Sequence, residues 1–390
     1  MRLASIDILR AVTMVLMIWV NDFWTLSNVP KWLMHAAGNE DYLGFSDIIF
    51  PLFLFIVGLS IPFAIRNRMH KGKSRSSIAL HILIRSFSLL LIGFYLMNYE
   101  VAFDEGILIG KDFWTILMTL AVVLVWVDWE KTSTPKKYHP HFRAVGAVLL
   151  IFLAIIYKGG DTGQDWMQVH WWGILGLIGW AYLSNALIFL YSKGNLTAIV
   201  LVWFVFNVLC VLFQLGIVEG PDGFLRYFSV LYQGTIPAFT AAGVLTTLLF
   251  QKYSTTKINY AYLILAILGI VNIAMGLITG PIWGISKIQG TPSWLAICSG
   301  IGVLAFILFH YLADIKKKTK WATFISPAGT ATLTCYMIPY MVYPIRSLLG
   351  FRLPDIFNSS FVGLSLSFVF ALLVVAFTGW MERKGYKLKL

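Results

Sequence analysis

Five polar residues stand in order near the start of this chain. Asp7, Arg10 and Asn21 lie on one apolar stretch, His35 follows in the next segment, and Asp47 opens a second apolar run, SDIIFPLFLFIVG. Charged and amide groups are costly at membrane depth, where lipid offers no hydrogen bonds, so their placement at the ends of two hydrophobic segments marks a polar site. Histidine is the residue type in this set suited to moving a proton near neutral pH, which singles out His35. Two of the others carry second readings. Ser46 and Asp47 are both favoured at helix starts, so Asp47 is also a candidate cap, and Arg10 is also a candidate helix-end side chain paired with Asp7.

The elements that must hold these residues follow from composition. The chain is 58% hydrophobic and 12% charged, with mean hydropathy +0.77. That balance is unlike a soluble globular domain and fits an integral membrane protein. About 20 apolar residues cross a hydrocarbon core of about 30 Å. Such runs are expected at 8–22, 47–65, 81–98, 113–128, 143–157, 172–191, 196–214, 231–250, 260–279, 294–313, 328–349 and 360–380. The fold class is therefore all-α and polytopic, with about 12 transmembrane helices, or 10 to 11 if the short runs in 113–157 do not span. Residues 1–390 form one transmembrane domain in this reading, with no separate soluble domain. Arg2 followed by AVTMVLMIWV has the outline of a secretory signal, but no A-x-A-like cleavage site follows, and it is expected to stay as the first membrane helix.

Charge orients the spans. With both termini cytoplasmic, the connections RNRMHKGKSR, WEKTSTPKKYHPHFR, YSKGN, QKYSTTK and ADIKKKTK lie inside with the tail. Only Lys31, Lys111, Lys158, Arg226, Lys287, Arg346 and Arg352 fall on the other side, a positive-inside pattern expected of a bacterial-type plasma membrane protein. His35 belongs to the outer half. The net charge of +12 sits in short juxtamembrane loops beside anionic lipid, so nucleic acid is not an expected partner.

Other chemistries find little support. Cys210, Cys298 and Cys335 fall inside expected spans as small buried residues, and the H-x-H pair His139/His141 lacks further ligands, so no metal is expected. There is no HExxH, GxSxG or phosphate-binding glycine loop. The outer segments GPIWGISKIQGTPSW and VEGPDGF are second-rank candidates for closing over a polar substrate, and turn formation explains them equally. Trp171 and Trp294 are candidates for sugar stacking on the outer rim, although most of the 15 Trp, 17 Tyr and 29 Phe serve interface belts and packing.

SIDILRAVTMVLMIWVN, a His, then SDIIFPLFLFIVGLSI resembles the opening of the heparan-alpha-glucosaminide N-acetyltransferase family and its bacterial relatives, a branch of the transmembrane acyltransferases. The family pattern maps onto Asp7, Arg10, Asn21, His35 and Asp47, with Phe50-Pro51 following. VLYQGTIPAFTAAGVL is similar to the family's glycine-containing helix, and SPAGTATLTCYMIPY to a late helix. This chain departs in a slightly longer loop between His35 and Asp47, carrying Glu40 and Asp41, and in Ala331, where relatives have Asn. The resemblance implies transfer of an acetyl group from acetyl-CoA to the amine of a glucosamine-type sugar or glycan, and a homodimer is compatible with it.

That chemistry suits the residues. His35 would act as general base and Asp47 would fix its tautomer and stabilise the imidazolium, while the Asn21 amide would donate to the oxyanion. Acetyl-CoA arrives from the cytoplasm and the sugar from outside, so a cavity entered from the cytoplasm is required. Arg10, Arg66, Arg68, Lys71 and Arg75 are its candidate phosphate contacts, and Asp7 is a candidate substrate contact. The competing reading is a sugar or small-molecule transporter, which the span count permits. No repeat links the two halves, however, and the intramembrane charges cluster in the first two helices.

Overall fold

Every backbone N–H and C=O inside a bilayer needs a partner within the protein, and the apolar runs of this chain meet that demand as α-helices. The computed structural model describes residues 3–220, 222–255 and 257–390. In chain order the helices are α1 (Ala4–Asn21), α2 (Ser46–His70), α3 (Arg75–Glu100), α4 (Lys111–Trp126), α5 (His139–Ile155), α6 (Ile174–Tyr191), α7 (Leu196–Gln214), α8 (Ser229–Gln233), α9 (Thr235–Ser254), α10 (Ile258–Trp283), α11 (Pro292–His310), α12 (Ser326–Thr330), α13 (Thr332–Met337), α14 (Pro339–Leu348) and α15 (Ser360–Arg383). Among the described residues the only β pairing is a few isolated bridges. The protein is an all-α, multi-pass membrane protein.

Nine helical segments among the described residues are long and apolar enough to cross a membrane, and ten if Gly223–Gln233 and Thr235–Ser254, bent by 41°, form one broken span. Two of the twelve expected spans fall short. The 113–128 run forms α4, whose 16 residues reach about 24 Å at 1.5 Å per residue. The 328–349 run is divided into α12, α13 and α14, with Ala331 out of helical geometry and Pro339 opening the last piece.

The helices group into two compact units that interleave along the sequence. Met1–Thr13, Pro30–Leu90 and Leu177–Thr323 make the first, and Met14–Val29, Leu91–Gly176 and Phe324–Leu390 make the second. In the first unit α2 and α9 cross with their backbones nearly touching. A Cβ on Gly58 would lie 2.0 Å from the Thr240 carbonyl oxygen, and one on Gly243 would lie 2.0 Å from that of Phe55. Small residues permit this approach, and polar side chains then bridge it: Thr240 Oγ1 donates to the Leu54 carbonyl (3.1 Å) and Thr247 Oγ1 to that of Leu59 (3.0 Å). The start of α1 is held by Asp314, whose two carboxylate oxygens accept from the Ala4 and Ser5 N–H groups at 3.0 Å each and so satisfy donors that a helix start leaves open.

The second unit packs α4 on α5 around the fully buried Trp114, whose indole N–H donates to the Leu153 carbonyl at 2.9 Å. Its C-terminal residues are tied down by a hydrogen bond from Leu388 N to Thr334 Oγ1 (2.9 Å) and an ion pair between Lys389 and Asp128 (3.0 Å).

Candidate active site

The site is built on the first turn of α2. Proline has no N–H, so Pro51 cannot donate to the carbonyl four residues back, which is that of Asp47. That carbonyl is instead satisfied by the indole N–H of Trp294 on α11, at 3.0 Å. Upstream, the chain folds back on the helix start. Phe45 N donates to Trp32 O (2.7 Å), and both the N–H and the hydroxyl of Ser46 donate to Leu33 O. Gly44 is needed there, because a Cβ would stand 1.8 Å from the Met34 carbonyl oxygen.

This fold-back delivers His35 to Asp47. The Asp47 side chain is 1% exposed, and its two oxygens are committed to three donors. Oδ1 accepts from His35 Nδ1 at 2.7 Å, and Oδ2 accepts from Ala36 N at 3.0 Å and Gly44 N at 3.2 Å. With Nδ1–H given to a buried carboxylate, neutral His35 carries its lone pair on Nε2. The His35 side chain is 39% exposed, so the carboxylate anchors a ring that still reaches solvent. Asp47 therefore does more than cap α2: it organises the loop and orients the imidazole.

A second loop, between α10 and α11, closes on the first. Asp41 accepts from Ile285 N (2.6 Å), Tyr42 N donates to Ile285 O (3.2 Å), and Gln289 Nε2 donates to Gly38 O (2.7 Å). On its other flank, Thr235 Oγ1 donates to Gly290 O (2.9 Å) and Gln214 Nε2 to Gln289 O (2.7 Å). Held from both sides, the loop presents Lys287 to the histidine. Its ammonium nitrogen lies 3.2 Å from His35 Nδ1 and 3.5 Å from Nε2. Desolvation pushes the Lys287 pKa below the ordinary lysine value, with the Asp47 charge opposing that shift. Glu40 pairs with Lys31 (2.7 Å) and accepts from Ala37 N (3.1 Å), so both acidic residues of the longer loop are used to shape it.

At the other end of α2 the first unit holds a cavity of about 730 Å³ lined by Asp7, Arg10, Ser60, Arg66, His70 and Gln251 among others. Arg10 donates to Asp7 (3.3 Å) and to Ser60 Oγ (2.6 Å), and Arg66 donates to Gln251 Oε1. These guanidinium groups give the cavity a positive wall suited to phosphate. Among the described residues, no group of three His, Cys, Asp or Glu side chains converges as a metal site.

The structure joins some of the expected site residues and separates others. His35 and Asp47 meet, and Arg10 and Arg66 share a cavity. Arg68 lies outside that lining and contacts His81 Nε2 (2.6 Å), while Lys71 and Arg75 are exposed and also outside it. Asp7, expected on the sugar, lines the cavity beside Arg10, because it lies in the first turn of α1 and Asn21 is the last residue of that helix. Trp294, expected on the outer rim, is 1% exposed and packs edge-on to Phe239, since the vacant Asp47 carbonyl draws its indole inward. Asn21 is exposed at the end of α1 and Trp171 is half-buried against Gly176, both in the second unit. Sequence reasoning missed Lys287 as a site residue. The available signal was a single outer-side cation within a Gly- and Pro-rich segment that a long apolar helix delivers.

A sequence pattern described as Heparan-alpha-glucosaminide N-acetyltransferase, catalytic, matches residues 2–178. Heparan-alpha-glucosaminide N-acetyltransferase of Homo sapiens is 33% identical over 101 residues, 25% of this chain and 14% of that protein. Its Mus musculus counterpart is 32% identical over 101 residues, with the same shares. The matched region thus spans only a small part of those relatives' length. The resemblance read in the sequence is present across the part of the chain that contains His35, Asp47, Arg10 and Arg66.

Proposed function

We propose, from the heparan-alpha-glucosaminide N-acetyltransferase catalytic pattern carried by residues 2–178, that this protein is a membrane acetyltransferase. It moves an acetyl group from acetyl-CoA, entering on the cytoplasmic side, to the amine of a glucosamine-type sugar on the outer side. The observation that carries this reading is the 2.7 Å contact between His35 Nδ1 and the buried Asp47 carboxylate, which leaves Nε2 as a base. An amine must lose a proton to attack a thioester near neutral pH, and an oriented imidazole whose cation is stabilised by a carboxylate is suited to take it. The C–N bond forms, the C–S bond breaks, and CoA leaves as the thiol. Asn21 keeps its assignment as an oxyanion donor on the sequence argument alone.

The cavity at the far end of α2 supports the donor side of the reading. Arg10 and Arg66 offer charge-assisted hydrogen bonds to phosphates. Ser60, on the cavity wall, is 13 residues from Asp47 along α2, or about 20 Å at 1.5 Å per residue. The pantetheine arm has to follow α2 over that distance to bring its thioester to His35.

The test is to incubate purified protein with acetyl-CoA and glucosamine and to measure free thiol release and N-acetylated product. Wild type should produce both in equal amounts, and His35→Ala should be slower by about 100-fold or more. Equal rates for the two folded proteins would remove His35 from the mechanism, and transport of glucosamine by vesicles without acetylation would replace the enzyme with a carrier.

A further inference from the structure

The loop between α10 and α11 lies outside the region matched to the family, yet it puts a cation against the proposed base. It is tied on one flank by Asp41 to its backbone and by its own Gln289 side chain to Gly38 O, and on the other by Thr235 and Gln214, so the Lys287 position is built into the fold. Nζ lies 3.2 Å from one ring nitrogen and 3.5 Å from the other, so the ammonium stands against the imidazole and not against the loop alone. A substrate amine that approaches Nε2 meets the ammonium there, so the cation lies within reach of any group that the base engages.

We propose that Lys287 is a catalytic residue that stabilises the tetrahedral oxyanion of acyl transfer, an inference that rests on the acetyltransferase reading above. When the amine nitrogen bonds to the thioester carbon, the carbonyl π electrons move to oxygen, and the Lys287 ammonium donates a hydrogen bond to the charge that develops there. On collapse the C–S bond breaks, its electrons go to sulfur, and the proton held on His35 passes to the leaving thiolate. A half-buried cation is suited to this task because its interaction with a developing anion is little screened.

The chemistry carries a signature in pH. Desolvation lowers the Lys287 pKa, so the side chain is charged below that value and loses its charge as pH rises through it, earlier than an exposed lysine would. Rate should fall along the same alkaline limb. The titratable groups near it are His35 and Asp47, Cys298 on α11, and Asp41 at Ile285. Arginine stays protonated throughout this range.

The experiment measures kcat and KM of the full chain in detergent, from neutral to alkaline pH, for wild type, Lys287→Met and Lys287→Arg. Lys287→Met should lower kcat by about 10²–10³-fold, the scale of losing one oxyanion donor, with KM for acetyl-CoA within about twofold. Lys287→Arg should keep most of the activity and lose the alkaline limb. Turnover near wild type in Lys287→Met, or an unchanged alkaline limb in Lys287→Arg, would overturn the inference and leave the acetyltransferase reading standing. If Lys287→Met does not fold, the limb in Lys287→Arg decides. Absence of acetyl transfer by the wild type itself would overturn both.

Discussion

The indole of Trp294 donates to the Asp47 carbonyl at 3.0 Å, and that carbonyl is open because Pro51, four residues on, has no N–H. The Phe-Pro pair beside the site thus has a physical use. It frees an acceptor in the first turn of α2, and a buried tryptophan from α11 fills it, locking the helix that carries Asp47. Trp294→Phe should leave a buried carbonyl unsatisfied, at a cost of about 1–3 kcal/mol. Pro51→Ala restores an N–H to the same acceptor, so Trp294→Phe should cost less in that background. Thermal unfolding in detergent of the two single variants and the double variant measures the coupling, and strict additivity would show that the two residues act separately.

Asp47 serves three donors with two oxygens, which makes its replacement informative. In Asp47→Asn one oxygen becomes an NH₂ that faces the N–H groups of Ala36 and Gly44 or that of His35, so either the loop or the imidazole loses its acceptor. Turnover should fall by about 100-fold or more through loss of imidazolium stabilisation, with a lower melting temperature as well. Steady-state kinetics and unfolding on the same preparation separate the two effects. Full activity in Asp47→Asn would mean that His35 needs no carboxylate.

How much of this could be read from the sequence depends on the range of the signal. The apolar runs, the ordering of Asp7, Arg10, Asn21, His35 and Asp47, and the Asp47–His35 contact were legible because each is local or bridged by a short loop. Span count was less so, since α4 is a helix of sufficient hydropathy but insufficient length and the 328–349 run is broken at Ala331 and Pro339. Lys287 and Trp294 were misread for one reason. Each reaches the site across more than 240 residues of chain, and neither its burial nor its partner leaves a trace in the neighbouring residues.

The α2–α9 crossing predicts sensitivity at two glycines. A methyl group on Gly58 or Gly243 would meet backbone at 2.0 Å, and backbone cannot rotate away as a side chain can. Gly58→Ala and Gly243→Ala should each destabilise the protein by about 1–3 kcal/mol or more, the usual penalty for overpacking. Gly72→Ala is the contrast, because its Cβ would meet nothing within 4 Å, and only its positive φ of 74° opposes the change. Detergent melting curves should rank Gly72→Ala well above the other two.

The cavity lined by Arg10 and Arg66 separates five basic residues that sequence placed together as candidate phosphate contacts. Arg10→Ala and Arg66→Ala should each weaken acetyl-CoA binding by about tenfold or more, the scale of a lost charged hydrogen bond, whereas Arg68→Ala, Lys71→Ala and Arg75→Ala should change it little. Higher salt should weaken wild-type binding and narrow the difference between wild type and the Arg10 and Arg66 variants, because the missing contribution is electrostatic. Equilibrium binding of acetyl-CoA at two salt concentrations makes the comparison. Equal losses in all five variants would point to a diffuse basic surface instead of the cavity.

Sidedness can be tested without removing any native cysteine. Cys210, Cys298 and Cys335 are all buried, so an impermeant thiol reagent should leave the wild-type protein unlabelled in intact cells. Lys73 and Lys158 are exposed, and the charge pattern assigns them to opposite faces. Lys158→Cys should therefore label from outside, and Lys73→Cys only after the membrane is opened. The reverse result would invert the bundle and place the Arg10–Arg66 cavity on the outer face, where no cytoplasmic thioester could reach it.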